Sequence, residues 1–202
     1  MSMTPEQIEN ILRAELKPKR FQHTLGVMAT ARELAEIHGE NEARAQLAGL
    51  LHDNAKSLSV ETMREIVRAA GLNVSEGEQA SASLLHAPVG AYLARTRFGV
   101  TDAAVLDAIR YHTTGRPGMA PLEAIIYLAD MIEPYRADFD GLAQLRRLAR
   151  RDLYAALELG LMSSNSYVTA RGQQLFERSA QAYVWVKRLN AQNNTGRDAD
   201  AV

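Results

Sequence analysis

His52, Asp53 and Lys56 stand close together in the stretch "LAGLLHDNAKSLS" at positions 47–59. An imidazole, a carboxylate and an ammonium so near one another can bind a divalent cation, neutralise a phosphate or move a proton. The surrounding pattern reads as an apolar helix, on which residues three and four apart share a face. On such a helix His52 stacks with Lys56, Asp53 flanks them, and Leu47, Leu50, Leu51 and Ala55 turn toward a core. A core histidine beside a surface ion pair would give the same letters, so the dipeptide alone decides nothing.

The rest of the polar inventory sharpens the choice. His23 lies in "RFQHTLGVMATA", His86 in "ASLLHAPVG", His112 in "AIRYHTTG" and Asp130 in "AIIYLADMIEP", each within or at the end of an apolar run. A buried carboxylate is costly unless it is paired or bound to a metal. Asp130 has no basic residue at helical offsets of three or four, so its partner must come from elsewhere. Neutral imidazoles and ionised carboxylates are ligands for Fe, Mn, Co, Ni or Zn. Cysteine is absent, which removes disulfides, thiolate nucleophiles and thiolate metal sites together. The fifth histidine, His38, precedes Gly39 near several glutamates and reads as a helix C-terminal capping group.

These residues must be positioned by helices. Apolar residues recur at spacings of three and four throughout, and alternating strand patterns are scarce. With 202 residues, 47% of them apolar, the chain can bury one sizeable core. Gly39 and Gly71 close helices, Asp102 caps "AAVLDAIRYH", and Thr113 to Gly118 form a loop before "PLEAIIYLADMI". Further helices are expected over 140–150 and 152–170, with a last one ending near Leu189. An all-α single domain over 1–189 follows. From Asn190 the sequence is almost without apolar residues and is expected to be a mobile polar tail over 190–202.

The formal net charge of −1 argues against a nucleic-acid partner. Arg146, Arg147, Arg150 and Arg151 read as a solvated helix face. Neither a signal peptide nor a membrane span is expected, which points to a cytoplasmic protein. Tyr183 and Trp185 are read as packing or subunit-contact residues, which keeps a homodimer among the expected assemblies.

His23, the His52-Asp53 pair and Asp130, in that order on separate helices, resemble the HD-domain superfamily of metal-dependent phosphohydrolases. The likeness is closer to its bacterial YqeK-type branch. It is carried by "RFQHTLGV", "LLHDNAK", "LLHAPVGA", "IRYHTTG" and "YLADMIEPYR", which together span most of the ordered chain. Asn54 departs from the aromatic or aliphatic residue common at its position. The resemblance implies an all-helical bundle with additional C-terminal helices. It also implies symmetrical cleavage of diadenosine tetraphosphate and related dinucleoside polyphosphates to nucleoside diphosphates. The nucleophile would be a metal-bound water at an iron-containing, two-metal site. By that resemblance His23, His52, Asp53 and Asp130 hold one metal, and His86 and His112 complete the second with Asp53 bridging.

Lys56 is then expected to join Asp53 in catalysis and to neutralise a phosphate. Arg20, Arg136, Thr113 and Thr114 are further candidates for the polyphosphate, the threonines through hydroxyls and exposed N–H groups. Another nucleotide phosphohydrolase, acting on monophosphates, deoxynucleoside triphosphates or cyclic nucleotides, is the nearest rival. A non-catalytic nucleotide sensor and a purely structural helical module are the others.

Overall fold

Most helix starts carry a side chain that can take up the free N–H groups of a first turn. The computed structural model describes residues 3–199. Thr4 and Gln7 form a reciprocal box at the start of α1 (Pro5–Glu15). Pro18 opens α2 (Pro18–His38), where its fixed φ suits a first turn, and Gly39 closes it at a φ of 72°. Asn41 caps α3 (Glu42–Leu51), and Ser59 caps α4 (Val60–Ala70), which ends on Gly71. Ser75 and Glu78 bracket the single turn of α5 (Glu76–Gln79), which leads into α6 (Ala82–Thr96). Asp102 caps α7 (Ala103–Tyr111), and Pro121 opens α8 (Pro121–Ile132). Then follow α9 (Leu142–Ala149), α10 (Leu153–Ala170), capped by Asp152, and α11 (Glu177–Ala199). The fold is all-α, as expected, with no strand among the described residues.

Two boundaries differ from the sequence reading. The helix carrying His52 ends at Leu51, and the chain continues in overlapping turns. Their bonds run from Asn54 N to Leu51 O, Lys56 N to Asp53 O and Leu58 N to Ala55 O, at 3.2, 2.9 and 3.1 Å. Winding to about three residues per turn brings i and i+3 into line. Asp53 therefore shares its side with Lys56. At the other end α11 runs through Ala199, so the polar stretch from Asn190 continues a helix where a separate tail was expected. The Asn190 amide donates to Tyr154 O at 3.0 Å and to Glu158 Oε2 at 2.7 Å, fastening α11 to α10. Apolar content missed this because a helix already nucleated extends at little cost. Residues 200–202 of that expected tail lie outside the described residues.

α2 packs between α3 and α8, α7 packs on α3, α6 and α8, and α10 covers α8 while carrying α9 and α11. Val27, Leu34, Leu50, Leu51, Ile109, Ile125, Ile126 and Leu128 fill the middle, fully buried. Each contributes about 1.5–3 kcal/mol of transfer free energy. A Cβ at Gly49 would lie 2.9 Å from Met28 Cα, so α2 and α3 meet backbone to backbone three residues before His52. A smaller group of Ala55, Met63, Val67, Leu85 and Val89 holds α4 against α6.

The arginine run is partly structural. Arg146 donates to the carbonyls of Ile132 and Glu133 at 2.9 and 2.7 Å, tying off the end of α8, and Arg150 pairs with Glu33 at 2.7 Å. His38 Nε2 lies 2.7 Å from Ala149 O, so this histidine tethers α2 to the end of α9, away from the other four. Trp185 packs edge-on against Tyr154, with centroids 6.0 Å apart, which makes it an intramolecular packing residue. Among the described residues no helix is long and apolar enough to cross a membrane.

Candidate metal centre

Four histidines from four parts of the fold converge on one carboxylate. His23 comes from the middle of α2, His52 from the end of α3, His86 from α6 and His112 from the end of α7. All four are buried, as is Asp53, while Asp130 near the end of α8 keeps about a fifth of its side chain in solvent. Their rings meet edge-on in the series His23, His52, His112, His86, with centroids 5.3, 5.1 and 5.0 Å apart.

The partners on the outer side set the tautomers. His52 Nδ1–H donates to Gly49 O at 2.7 Å, and His112 Nδ1–H donates to Ile109 O at 2.8 Å. His23 Nδ1–H donates to Glu133 Oε1 at 3.0 Å. Each of these rings therefore turns an Nε2 lone pair inward. The Nε2 atoms of His23 and His52 lie 3.3 Å apart, and those of His86 and His112 3.1 Å apart. Lone pairs facing one another at such distances repel unless a cation or proton lies between them.

Asp53 divides this set in two. Its Oδ2 lies 3.5 Å from His52 Nε2 and 3.9 Å from His23 Nε2. Its Oδ1 lies 3.1 Å from His86 Nε2 and 3.9 Å from His112 Nε2. Asp130 Oδ1 joins the first half, 3.1 Å from His23 Nε2 and 4.0 Å from His52 Nε2. Neighbouring ligands on an octahedral ion with bonds near 2.1 Å are about 3.0 Å apart, and opposite ones about 4.2 Å apart. The observed separations fall in that interval, and nitrogen and carboxylate donors suit a divalent first-row ion. The residues therefore fit a metal. The tightest groupings are His23, His52 and Asp130, and His52, Asp53 and His112. His52 belongs to both, a position between the halves that its sequence context did not reveal.

The electrostatics follow from this crowding. Burial would raise the Asp53 carboxyl, but His52 and His86 override it and hold it well below the usual range. Asp130 is lowered in the same way, burial being outweighed by His23 and His52. Burial pushes the His52 imidazole down, yet Asp53 and Asp130 raise it overall. His112 is depressed to about 3 by burial and by its neighbours His86 and His52, and so is held neutral, the form that ligates.

The expected substrate groups separate into two kinds. Arg20 donates to Asp53 Oδ2 at 2.8 Å, Lys56 Nζ lies 3.8 Å from Asp53 Oδ1 and 3.2 Å from His86 Nδ1, and Arg136 lies 3.7 Å from Asp130. These three cations rim the cluster. Thr113 borders the same opening. Thr114 is a correction: it is buried, and its hydroxyl donates to Gly115 O at 2.9 Å. The N–H of Gly115 is likewise taken, by Tyr111 O at 2.8 Å, so the turn consumes the groups that phosphate was expected to meet.

Glu133 is the residue the sequence reading missed. It is 1% exposed, holds His23 through Oε1 and accepts Tyr135 N–H through Oε2 at 2.6 Å. A Cβ on Gly26 would strike it, so that glycine makes its room. The available signal was a carboxylate three residues after Asp130 at a helix end closed by Pro134.

The HD domain model matches residues 20–135, a segment that contains all six candidate ligands. Over 184 residues the chain is 40% identical to "Bis(5'-nucleosyl)-tetraphosphatase, symmetrical" of Bacillus subtilis (strain 168), spanning 91% of this chain and 98% of that protein. It is 39% identical over 173 residues to the protein of the same description from Halalkalibacterium halodurans, spanning 86% and 91% of the two chains. Its fold is similar to the crystal structure of a Clostridium acetobutylicum protein described as a predicted HD superfamily hydrolase involved in NAD metabolism. The TM-score is 0.89 at 38% identity, with 93% of this chain and 99% of that one covered. On the matched segment and on this likeness along nearly its whole length, the chain belongs to the HD domain family.

Proposed function

We propose that this chain is a metal-dependent hydrolase that cleaves diadenosine tetraphosphate and related dinucleoside polyphosphates symmetrically, releasing nucleoside diphosphates. The observation that carries the reading is the division of Asp53, one oxygen toward His23 and His52 and the other toward His86 and His112. A carboxylate so placed can bridge two ions. The Bacillus and Halalkalibacterium relatives, each described as a symmetrical tetraphosphatase, supply the substrate class.

In this reading His23, His52, Asp53 and Asp130 hold one divalent ion, and His86 and His112 hold the second with Asp53 shared. Iron is favoured by the YqeK-type resemblance, and Mn, Co, Ni or Zn would suit the same donors. Such ions supply Lewis-acid polarisation of a phosphoryl oxygen and a water nucleophile near neutral pH. The chain's own contribution is positioning and charge. Arg20, Lys56 and Arg136 neutralise the polyphosphate and draw its central anhydride over the cluster. Lys56, with its ammonium partly desolvated, faces the charge that builds on the leaving diphosphate. A nucleotide substrate agrees with a cytoplasmic setting.

The test is elemental analysis of protein purified without chelator or metal-affinity steps, paired with product analysis on diadenosine tetraphosphate. About one to two metal equivalents, as a ligand set of this size holds, with ADP as the sole nucleotide product, support the reading. ATP with AMP as products would overturn symmetrical cleavage. Asp53→Ala should lose both metal and turnover, because it removes the shared ligand.

A further inference from the structure

Two cavities lie side by side, the smaller opening on the cluster, and they differ in chemistry. The smaller, about 340 Å³, opens on His112 and Asp130 and is lined by Tyr127, Phe139, Tyr167 and Arg136. The larger, about 780 Å³, lies between the start of α6, the C-terminal half of α10 and the α10–α11 turn. Thr113 and Ser164 line both, so the two meet at a ridge adjoining His112. Ser83, in the larger cavity, is three residues before His86 on α6 and so shares its helix face. The smaller cavity thus opens on the cluster at His112 and Asp130, and the larger continues from it past Thr113 and Ser164. Both volumes lie in the range of about 300–1,000 Å³ found for small-molecule sites.

The charges of the larger cavity say what it can hold. Its wall includes Glu76 and Glu177 and no lysine or arginine, so it repels phosphate. Asn165 and Gln173 offer amides, and Phe176, partly buried, with Arg178 5.3 Å from its ring centroid, offers an aromatic ring. Such a wall suits an uncharged nucleoside: a base on the ring, amides at its edge, carboxylates accepting from ribose hydroxyls. The cations Arg20, Lys56 and Arg136 sit at the cluster instead, Arg136 also lining the smaller cavity.

We propose that the larger cavity is the seat of the second nucleoside, and that its walls from α10 and α11 give the enzyme its preference for substrates with a nucleoside at each end. This rests on the dinucleotide reading above. A symmetric cut at the central anhydride leaves one nucleoside on each side of the reacting phosphates, and the two cavities, meeting at the ridge beside His112, provide two seats. The residues that confer the preference, Val168 and Phe176 among them, lie outside the matched segment 20–135.

The experiment compares two substrates, diadenosine tetraphosphate and adenosine 5′-tetraphosphate, which carry the same phosphates with two nucleosides or one. Val168→Trp fills the cavity from α10, and Phe176→Ala removes its aromatic face. Either change should raise KM for the dinucleotide about tenfold or more, the scale of a lost base-stacking contact, while the one-nucleoside substrate is spared. Equal losses on both substrates, or no change on either, would overturn the proposal. Calorimetry with a methylene-bridged, uncleavable dinucleotide gives a second measure independent of turnover. Weaker binding of it by Val168→Trp, with adenosine tetraphosphate bound as before, supports the subsite even if the wild-type protein cleaves neither nucleotide. That last result would overturn the proposed function and leave the subsite standing.

Discussion

Lys56 is pulled two ways. Burial drives its pKa down, and Asp53, 3.8 Å away, draws it back up, so its ammonium stays charged at a reduced cost of desolvation to a substrate. It touches His86 without being a suitable ligand while it carries a proton. Lys56→Ala should therefore leave metal content intact and lower kcat by about 10²–10³, as removal of one charge-stabilising donor does. Single-turnover assays beside elemental analysis check this, and a variant that loses metal would make Lys56 structural. At this scale the sequence was informative where a polar residue interrupts an apolar run, as His23, His86, His112 and Asp130 do. It was silent on Glu133, whose burial is created by Gly26 and the Tyr135 N–H, contacts made across the fold. It misled on Thr114, because a hydroxyl in a small-residue loop looks free until the turn claims it.

The elements are held in register by buried ion pairs as well as by apolar packing. Glu78 on α5 is 1% exposed and is reached by Arg110 of α7 at 2.6 Å and by Arg178 of α11 at 2.7 Å. Burial would raise its carboxyl, but the two guanidinium hydrogen bonds dominate and hold it at about 2, against 4.5 ordinarily. A group depressed on folding contributes stability that is complete above its unfolded pKa and vanishes as pH falls through its folded one. A shift of this size corresponds to about 3 kcal/mol at most. Glu78→Gln should accordingly melt below wild type at pH 7, with the gap closing between about pH 4.5 and 2. Thermal melts of both proteins across that window decide, and a gap that is constant with pH would refute the pairing. Helix ends were readable wherever a terminator or cap is written locally, as at Gly39, Gly71 and Asp102. The turns from His52 to Leu58 were not, since the apolar spacing of α3 runs on through them while the backbone tightens.

For the molecule as a whole, the cluster gathers ligands from α2, α3, α6, α7 and α8 and the turn after α3, so anything bound there ties most of the bundle together. A ligand present at about a thousand times its Kd adds about 4 kcal/mol to a folded state that alone binds it. For a chain near 200 residues that is roughly ten degrees of melting temperature. Chelation should lower Tm by this order, with readdition of metal restoring it, and Asp53→Ala should be insensitive to chelator. A wild-type Tm indifferent to chelation would separate the histidines from any metal. The outer hydrogen bonds of these histidines have one more consequence, for heredity. Those of His52 and His112 end on main-chain carbonyls, which every amino acid supplies, so no codon change at Gly49 or Ile109 deletes the acceptor itself. The acceptor of His23 is a side chain, Glu133, and it alone of the three is within reach of a single nucleotide substitution. Glu133→Gln is therefore the single substitution expected to alter the His23 side of the metal site, which elemental analysis of that variant checks.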